Sequence, residues 1–136
     1  MYLIDTNVIS EARKGRQANP GVRDFWASVD GAEVYLAVQT IGEIRHGVER
    51  IRQRGDREQA ERLEGWLHEI ISAHADRILD FDSDCAQVWG RLMALQPQHP
   101  VDKQIAAIAL IHDLTIVTRN VPDYEGTGAR IANPFR

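Results

Sequence analysis

Short apolar runs alternate along the chain with longer segments of helical periodicity, and this alternation constrains the fold more than any other feature. The apolar runs are those expected of buried strands, and they cover residues 2–4, 34–38, 78–81, 114–117 and 130–132. Between them, apolar residues recur at the three- and four-residue spacing of helices that pack one face on a core. Strands that alternate with helices in this way predict an α/β fold with a parallel sheet.

The length and composition favour one domain over residues 1–136, because the chain has 136 residues and shows no repeat or linker. The single cysteine, Cys85, excludes an internal disulfide and fits a reducing, cytoplasmic setting. We interpret Cys85 as a small buried residue. No apolar run approaches the roughly 20 residues that a membrane span requires, so we expect no membrane partner.

The charge balance limits the functions open to the chain. A formal net charge of −4 argues against a pure nucleic-acid-binding module, which is usually basic. It does not exclude an enzyme that acts on nucleic acid, because a bound metal ion supplies local positive charge.

Four acidic residues are predicted to lie at one end of the sheet. Asp5 directly follows the first strand, and Glu43 lies in the first turn of the helix after the second strand. Asp102 opens the helical segment 101–111, and Asp123 comes shortly after the strand at 114–117. Sites in open α/β sheets lie beyond the carboxyl ends of the strands. Neighbouring carboxylates repel each other unless protons or a cation compensate, and such oxygen ligands suit Mg²⁺ or Mn²⁺.

Each of these acids also has a purely structural interpretation. Asp5 can cap the following helix or hold an Asx turn, and the run Thr40 to Glu43 matches a helix-capping box. Asp102 can complement a helix dipole, and Asp123 can be a solvated turn residue. The spacing alone leaves both interpretations open for every one of them.

Four longer segments carry a resemblance to a known family. They read YLIDTNVIS at 2–10, TIGEI at 40–44, VDKQIAA at 101–107 and IVTRNVPDY at 116–124. Together they resemble PIN-domain proteins, especially the ribonuclease toxins of the VapC and FitB type. The segments occur in family order and span nearly the whole chain, and the end of the chain, from 126 to 134, resembles FitB.

The resemblance implies a three-layer α/β/α domain with a central parallel sheet and an endoribonuclease that uses Mg²⁺ or Mn²⁺. It also implies a partner antitoxin that blocks the site, and a homodimer that joins the antitoxin in a larger assembly on DNA. The DNA contact would then belong to the antitoxin, which agrees with the acidic charge of this chain.

The resemblance assigns candidate roles to individual residues. Asp5, Glu43 and Asp102 match three family acids, and the fourth position is either Asn120 or Asp123. We favour Asp123, with Asn120 as an aid, since an amide oxygen coordinates a metal without bringing charge. Asp5, Asp102 and Asp123 would hold one or two ions, while Glu43 binds metal or positions the attacking water.

Five further residues are weaker candidates. Thr6 and Thr118 would orient carboxylates or water, although local backbone hydrogen bonding is the alternative. Arg13, Lys14 and Arg45 lie near the expected site in sequence and are candidates for contact with the RNA backbone. Their alternative role is that of a solvated helix surface.

Three other functions compete with the nuclease. A phosphatase of the haloacid dehalogenase type needs a second acid two positions after the first, where this chain has Asn7. A receiver-like signalling domain needs a late lysine, and the only late lysine is Lys103, beside Asp102. A catalytically silent PIN-like scaffold that binds RNA or protein is the third, and retention of all the acids weighs against it.

Overall fold

A five-stranded parallel sheet forms the centre of the fold. The computed structural model describes residues 1–136, and its strands are β1 (Tyr2–Ile4), β2 (Val34–Ala37), β3 (Ile78–Leu79), β4 (Thr115–Val117) and β5 (Ile131–Ala132). The strand order is β3-β2-β1-β4-β5, and every neighbouring pair is parallel. The carboxyl ends of β1, β2 and β4 therefore meet at one edge, in the middle of the sheet.

Six helices connect and cover the strands. They are α1 (Thr6–Ala12), α2 (Pro20–Ser28), α3 (Val38–Gln53), α4 (Arg57–Ala73), α5 (Ser83–Leu95) and α6 (Pro100–His112). Short polar side chains cap four of them, α1, α2, α4 and α5, as expected of N-cap residues. Asn19, Asp56 and Asp82 accept backbone N–H groups of α2, α4 and α5 at 3.0, 3.1 and 2.9 Å. None of the helices combines the length and apolarity that crossing a membrane requires.

The two faces of the sheet carry separate hydrophobic cores. Successive strand residues point to opposite faces, so Leu3 and Ile116 pack with α5 and α6, while Ile4 and Val117 pack with α1 to α4. This arrangement confirms the three-layer α/β/α fold with a central parallel sheet. The buried position of Cys85 in the first of these cores is also confirmed.

The start of α3 differs from the expectation. The pairing of β2 with β3 ends at Ala37 and Leu79, and the chain turns into the helix immediately, at Val38. Thr40 is therefore inside the first turn, where its buried hydroxyl has no hydrogen-bond partner, and no side chain caps this helix. The capping-box interpretation of Thr40 to Glu43 was wrong, and Glu43 lies in the second turn of α3 instead of the first.

Four strand predictions were too long by one or two residues: β2 ends at Ala37, β4 begins at Thr115, and β3 and β5 are shorter as well. β3 ends at Leu79 instead of Phe81, because Asp82 already caps α5 and the chain must leave the sheet before it. β5 covers Ile131–Ala132 alone, although the backbone of Arg130 still accepts a hydrogen bond from Ile116 at 2.8 Å.

Candidate metal centre

Asp5 is the most enclosed of the four candidate acids. It directly follows β1 and is 4% exposed. Its Oδ1 accepts the backbone N–H of Thr6 at 2.8 Å, which caps α1. Its Oδ2 accepts the hydroxyl groups of Thr118 at 2.8 Å and Tyr124 at 3.1 Å. The capping interpretation of Asp5 is confirmed, but capping uses only one of the two carboxylate oxygens.

The loop after β4 is tied to the start of α1 through Asn7 and Thr118. Asn7 donates its amide to Oγ1 of Thr118 at 3.3 Å and accepts the backbone N–H of Arg119 at 3.0 Å. Thr118 also accepts the backbone N–H of Asn120 at 3.0 Å. Asn7, which stands where a phosphatase would have its second acid, thus connects the carboxyl ends of β1 and β4 through hydrogen bonds. Asn120 enters this network through its backbone, and its side chain makes no capping bond.

Tyr124 connects two of the acids. The residue is 1% exposed, and its hydroxyl oxygen lies 3.1 Å from Oδ2 of Asp5 and 3.4 Å from Oδ1 of Asp102. Burial and the charges of these two carboxylates raise the pKa of the phenol, so it keeps its proton. A phenol has one donor proton. Asp5, which is nearer, accepts the hydrogen bond from this proton. Asp102 can donate a hydrogen bond to the phenol oxygen when its own carboxyl group is protonated.

Glu43 reaches the same edge of the sheet from α3. Oγ1 of Thr6 donates to its Oε1 at 3.0 Å. Although the residue is solvent-accessible, partial desolvation of its carboxyl group and the nearby charge of Asp5 raise its pKa, against the opposing effect of the Thr6 hydrogen bond. The structure therefore places Thr6 between Asp5, whose cap it completes, and Glu43.

Asp102 lies in the first turn of α6. Burial, followed by the charges of Asp5, Asp123 and Glu43, raises its pKa from 3.8 to about 6. A helix dipole acts in the opposite direction, because it stabilises a negative charge at a helix N-terminus. The crowding of negative charge in a partly desolvated position therefore dominates the environment of Asp102.

The imidazole of His99 lies between the last two acids. Its Nδ1 is 3.9 Å from Oδ2 of Asp102, and its Nε2 is 3.7 Å from Oδ1 of Asp123. Asp123 belongs to the short 3₁₀ helix Val121–Tyr124. One ligand atom from each of these three residues lies within 4.8 Å of the other two. The structure therefore brings all four candidate acids to one edge of the sheet and adds a histidine.

No sequence pattern assigns a role to Tyr124 or His99, or a role in the site to Asn7. Tyr124 ends the segment at 116–124 and Asn7 follows Asp5 closely, so both were inside segments already singled out. Their neighbours in the folded chain are more than a hundred positions away in sequence, and no local pattern reports such a pairing. For His99 the sequence offers no signal beyond its position before Pro100.

The three basic candidates each have a partner within the protein. The guanidinium of Arg13 lies 5.6 Å from the ring centroid of Trp66, and Lys14 pairs with Glu11 at 2.9 Å. Arg45 pairs with Glu49 at 3.0 Å and also with Glu64. Their contact with RNA stays a prediction, and for Arg45 it would have to compete with two carboxylates.

The donor set fits a divalent cation. Carboxylate oxygens are the ligands that Mg²⁺ and Mn²⁺ prefer, and four carboxylates meet here. His99 is the only basic residue that pairs with any of them, whereas the other ion pairs of the protein use arginine or lysine. The negative charge at this edge therefore has no fixed counter-charge from the chain, and a bound cation would supply it.

The metal-free protein should become more stable at neutral pH when Asp102 is replaced by Asn. The raised pKa means that folding favours the protonated acid; this contribution is complete below pH 3.8 and is lost as the pH rises through about 6. Asn stays neutral, so in EDTA the variant should gain of order 2 kcal/mol at pH 8. Thermal unfolding at pH 8 and pH 3.5 measures the difference.

The control is Asp80→Asn, because Asp80 is an exposed acid outside the site. Asp102→Asn should raise the melting temperature at pH 8 and leave it nearly unchanged at pH 3.5. An equal shift at both pH values, or no shift at pH 8, would show that charge crowding at Asp102 has no effect on stability.

Comparisons with known proteins agree with this fold and site. The PIN domain family profile matches residues 2–121. Toxin FitB of Neisseria gonorrhoeae is 33% identical over 142 residues, 99% of each chain. The VapC ribonuclease Y4jK of Sinorhizobium fredii is 34% identical over 145 residues, 99% of this chain and 98% of that one.

A solved structure shows the same fold. FitAB bound to an IR36 DNA fragment superposes with a TM-score of 0.82 at 31% identity, over 100% of this chain and 96% of that chain. The profile match covers most of the chain and every strand except β5, which follows the matched residues. The phosphatase and receiver-like alternatives are therefore set aside, and the chain belongs to the PIN domain family.

Proposed function

We propose that this protein is a metal-dependent endoribonuclease and the toxin component of a type II toxin–antitoxin pair. The observation that carries the proposal is the meeting of four carboxylates at the carboxyl edge of the sheet without an arginine or lysine partner. Its similarity to a VapC ribonuclease and to toxin FitB supports the same activity.

The proposed cofactor is Mg²⁺ or Mn²⁺, held by Asp5, Asp102 and Asp123. Such an ion lowers the pKa of a water molecule and neutralises charge on a phosphodiester. We assign the fourth site position to Asp123 instead of Asn120, because Asp123 and Asp102 both lie beside the imidazole of His99. Thr6 and Thr118 orient Glu43 and Asp5, which they contact directly.

Glu43 is the proposed proton acceptor. A general base works best when its pKa lies near the working pH, because it is then largely ionised and still accepts a proton readily. The raised pKa of Glu43 brings it closer to this value. In the proposed hydrolysis a water oxygen bonds to phosphorus, Glu43 takes a water proton, and the bond from phosphorus to O3′ breaks. The leaving oxygen takes a proton from solvent water, so the products carry a 5′-phosphate and a 3′-hydroxyl.

The proposed partners are a cognate antitoxin, the RNA substrate and a second copy of the chain. The antitoxin would cover the site and also carry the DNA contact, in line with the net charge of −4 here and with the FitAB structure bound to DNA. We place this pair in the cytoplasm, where its RNA substrates are.

RNA cleavage tests the function. Purified protein, freed of any partner, is incubated with a broad RNA pool in Mg²⁺, Mn²⁺ or EDTA, and the product ends are identified. Cleavage that requires the metal and leaves 5′-phosphates is expected. Products with 2′,3′-cyclic phosphates would exclude water as the nucleophile, and folded protein that cuts no RNA in any metal would favour the silent scaffold.

A further inference from the structure

The backbone fixes His99 beside two of the acids. His99 adopts the left-handed conformation, with φ 53° and ψ 60°, which few residues other than glycine adopt; histidine, asparagine and aspartate do so more often than most. Its carbonyl accepts the backbone N–H of Lys103 at 3.0 Å. The ammonium group of Lys103, which is 2% exposed, bonds the carbonyl of the preceding Gln98. Both bonds hold the segment that presents the imidazole.

The distances from His99 to the acids are too long for hydrogen bonds. Separations of 3.9 and 3.7 Å exceed the usual limit of about 3.2 Å for a nitrogen donor and an oxygen acceptor. Ligands on opposite sides of a small divalent cation, each about 2.1 Å from the ion, lie about 4.2 Å apart. The two distances start from different imidazole nitrogens, and a single ion binds only one of them; one nitrogen of His99 nevertheless lies within 4.8 Å of a carboxylate oxygen of each acid, close to this span.

We propose that His99 is a nitrogen ligand of the metal centre, shared with Asp102 and Asp123, and that it biases the centre towards Mn²⁺ over Mg²⁺. The inference rests on the proposed function, since it concerns the same centre. Mg²⁺ is a hard ion that takes oxygen ligands almost exclusively, whereas Mn²⁺, a first-row transition ion, also accepts an imidazole, although less strongly than Fe²⁺ or Zn²⁺ does. A set of carboxylates with one imidazole thus favours Mn²⁺, and a set of carboxylates alone does not discriminate in this way.

The matched variant is His99→Asn. Asparagine also tolerates the left-handed conformation, so the segment before α6 should keep its backbone, and an amide coordinates through oxygen. His112→Asn is the control, because His112 is an exposed histidine at the other end of α6.

The experiment measures binding without RNA. Electron spin echo envelope modulation of protein-bound Mn²⁺ detects a coordinated ¹⁴N nucleus, and calorimetry gives the dissociation constants of Mn²⁺ and Mg²⁺. The ¹⁴N modulation should be present in the wild type and in His112→Asn and absent in His99→Asn. The same substitution should weaken Mn²⁺ binding about tenfold or more and change Mg²⁺ binding by less than about twofold.

The outcomes separate this inference from the proposed function. Mn²⁺ that binds the wild type without ¹⁴N modulation, or modulation that persists in His99→Asn, would overturn the role of His99 and leave the nuclease standing. Equal weakening of Mn²⁺ and Mg²⁺ would overturn the selectivity. Failure of the folded wild type to bind either ion would overturn the metal centre itself, and with it the proposed function.

Discussion

Replacement of Asp5 by Asn should reduce RNA cleavage by at least about a thousandfold, which corresponds to roughly 4 kcal/mol of transition-state stabilisation. Asp5 is the acid with the most hydrogen-bond donors around it, so its position is fixed before any ion binds. Asn keeps the shape and one carbonyl oxygen but brings no charge. Single-turnover cleavage in saturating Mn²⁺ measures the loss.

The matched control is Asp24→Asn, an acid on α2 that pairs with Arg136 at 2.5 Å. This variant should cut RNA at the wild-type rate. Thermal unfolding in EDTA shows whether both variants are folded. A folded Asp5→Asn protein that retains more than about a tenth of the activity would remove Asp5 from the centre.

Replacement of Tyr124 by Phe should weaken metal binding by about 10- to 100-fold, the usual range for residues that orient metal ligands. The hydroxyl lies within hydrogen-bond distance of both Asp5 and Asp102, so its removal deprives both carboxylates of a common partner, although Asp5 keeps its other hydrogen bonds. Tyr124 is a positioning residue, because it acts through these acids. Cleavage should therefore fall at low Mn²⁺ concentration and recover largely at saturating Mn²⁺.

The control for this change is Tyr2→Phe. Tyr2 packs its ring against Phe25, with centroids 5.3 Å apart, on the other core, so loss of its hydroxyl should leave metal affinity unchanged. A Tyr124→Phe protein with wild-type affinity for Mn²⁺ would mean that the hydroxyl does not organise the acids. A loss of cleavage that excess Mn²⁺ does not restore would assign Tyr124 another role.

The sequence predicts most of the fold because its strands and helices differ in period. The run Tyr2 to Ile4 is short and apolar and ends in Asp5, so the local pattern by itself puts an acid at the carboxyl end of a strand. The same logic locates Asp123, shortly after β4; Asp102 follows no strand but opens the helix α6 that leads into β4, which puts it at the same edge. Strand ends are local features, and the residues that follow them can therefore be found from the sequence.

The remaining features depend on contacts between distant segments. The prediction that α3 begins after Thr40 was wrong because strand pairing, which the sequence does not display, ends at Ala37 and the helix starts at Val38. Tyr124 has the pattern of an ordinary core aromatic, and only the fold brings its hydroxyl beside Asp5. His99 lies between two acids only because α6 and the turn after β4 converge.

Anomalous diffraction from crystals soaked in Mn²⁺, at a concentration that supports full RNA cleavage, tests the central claim most directly. The account predicts a strong anomalous peak about 2.1 Å from carboxylate oxygens of Asp5 and Asp102, which disappears in crystals of Asp5→Asn. Active protein whose crystals show no peak among the four acids, or show the peak elsewhere, would contradict the account.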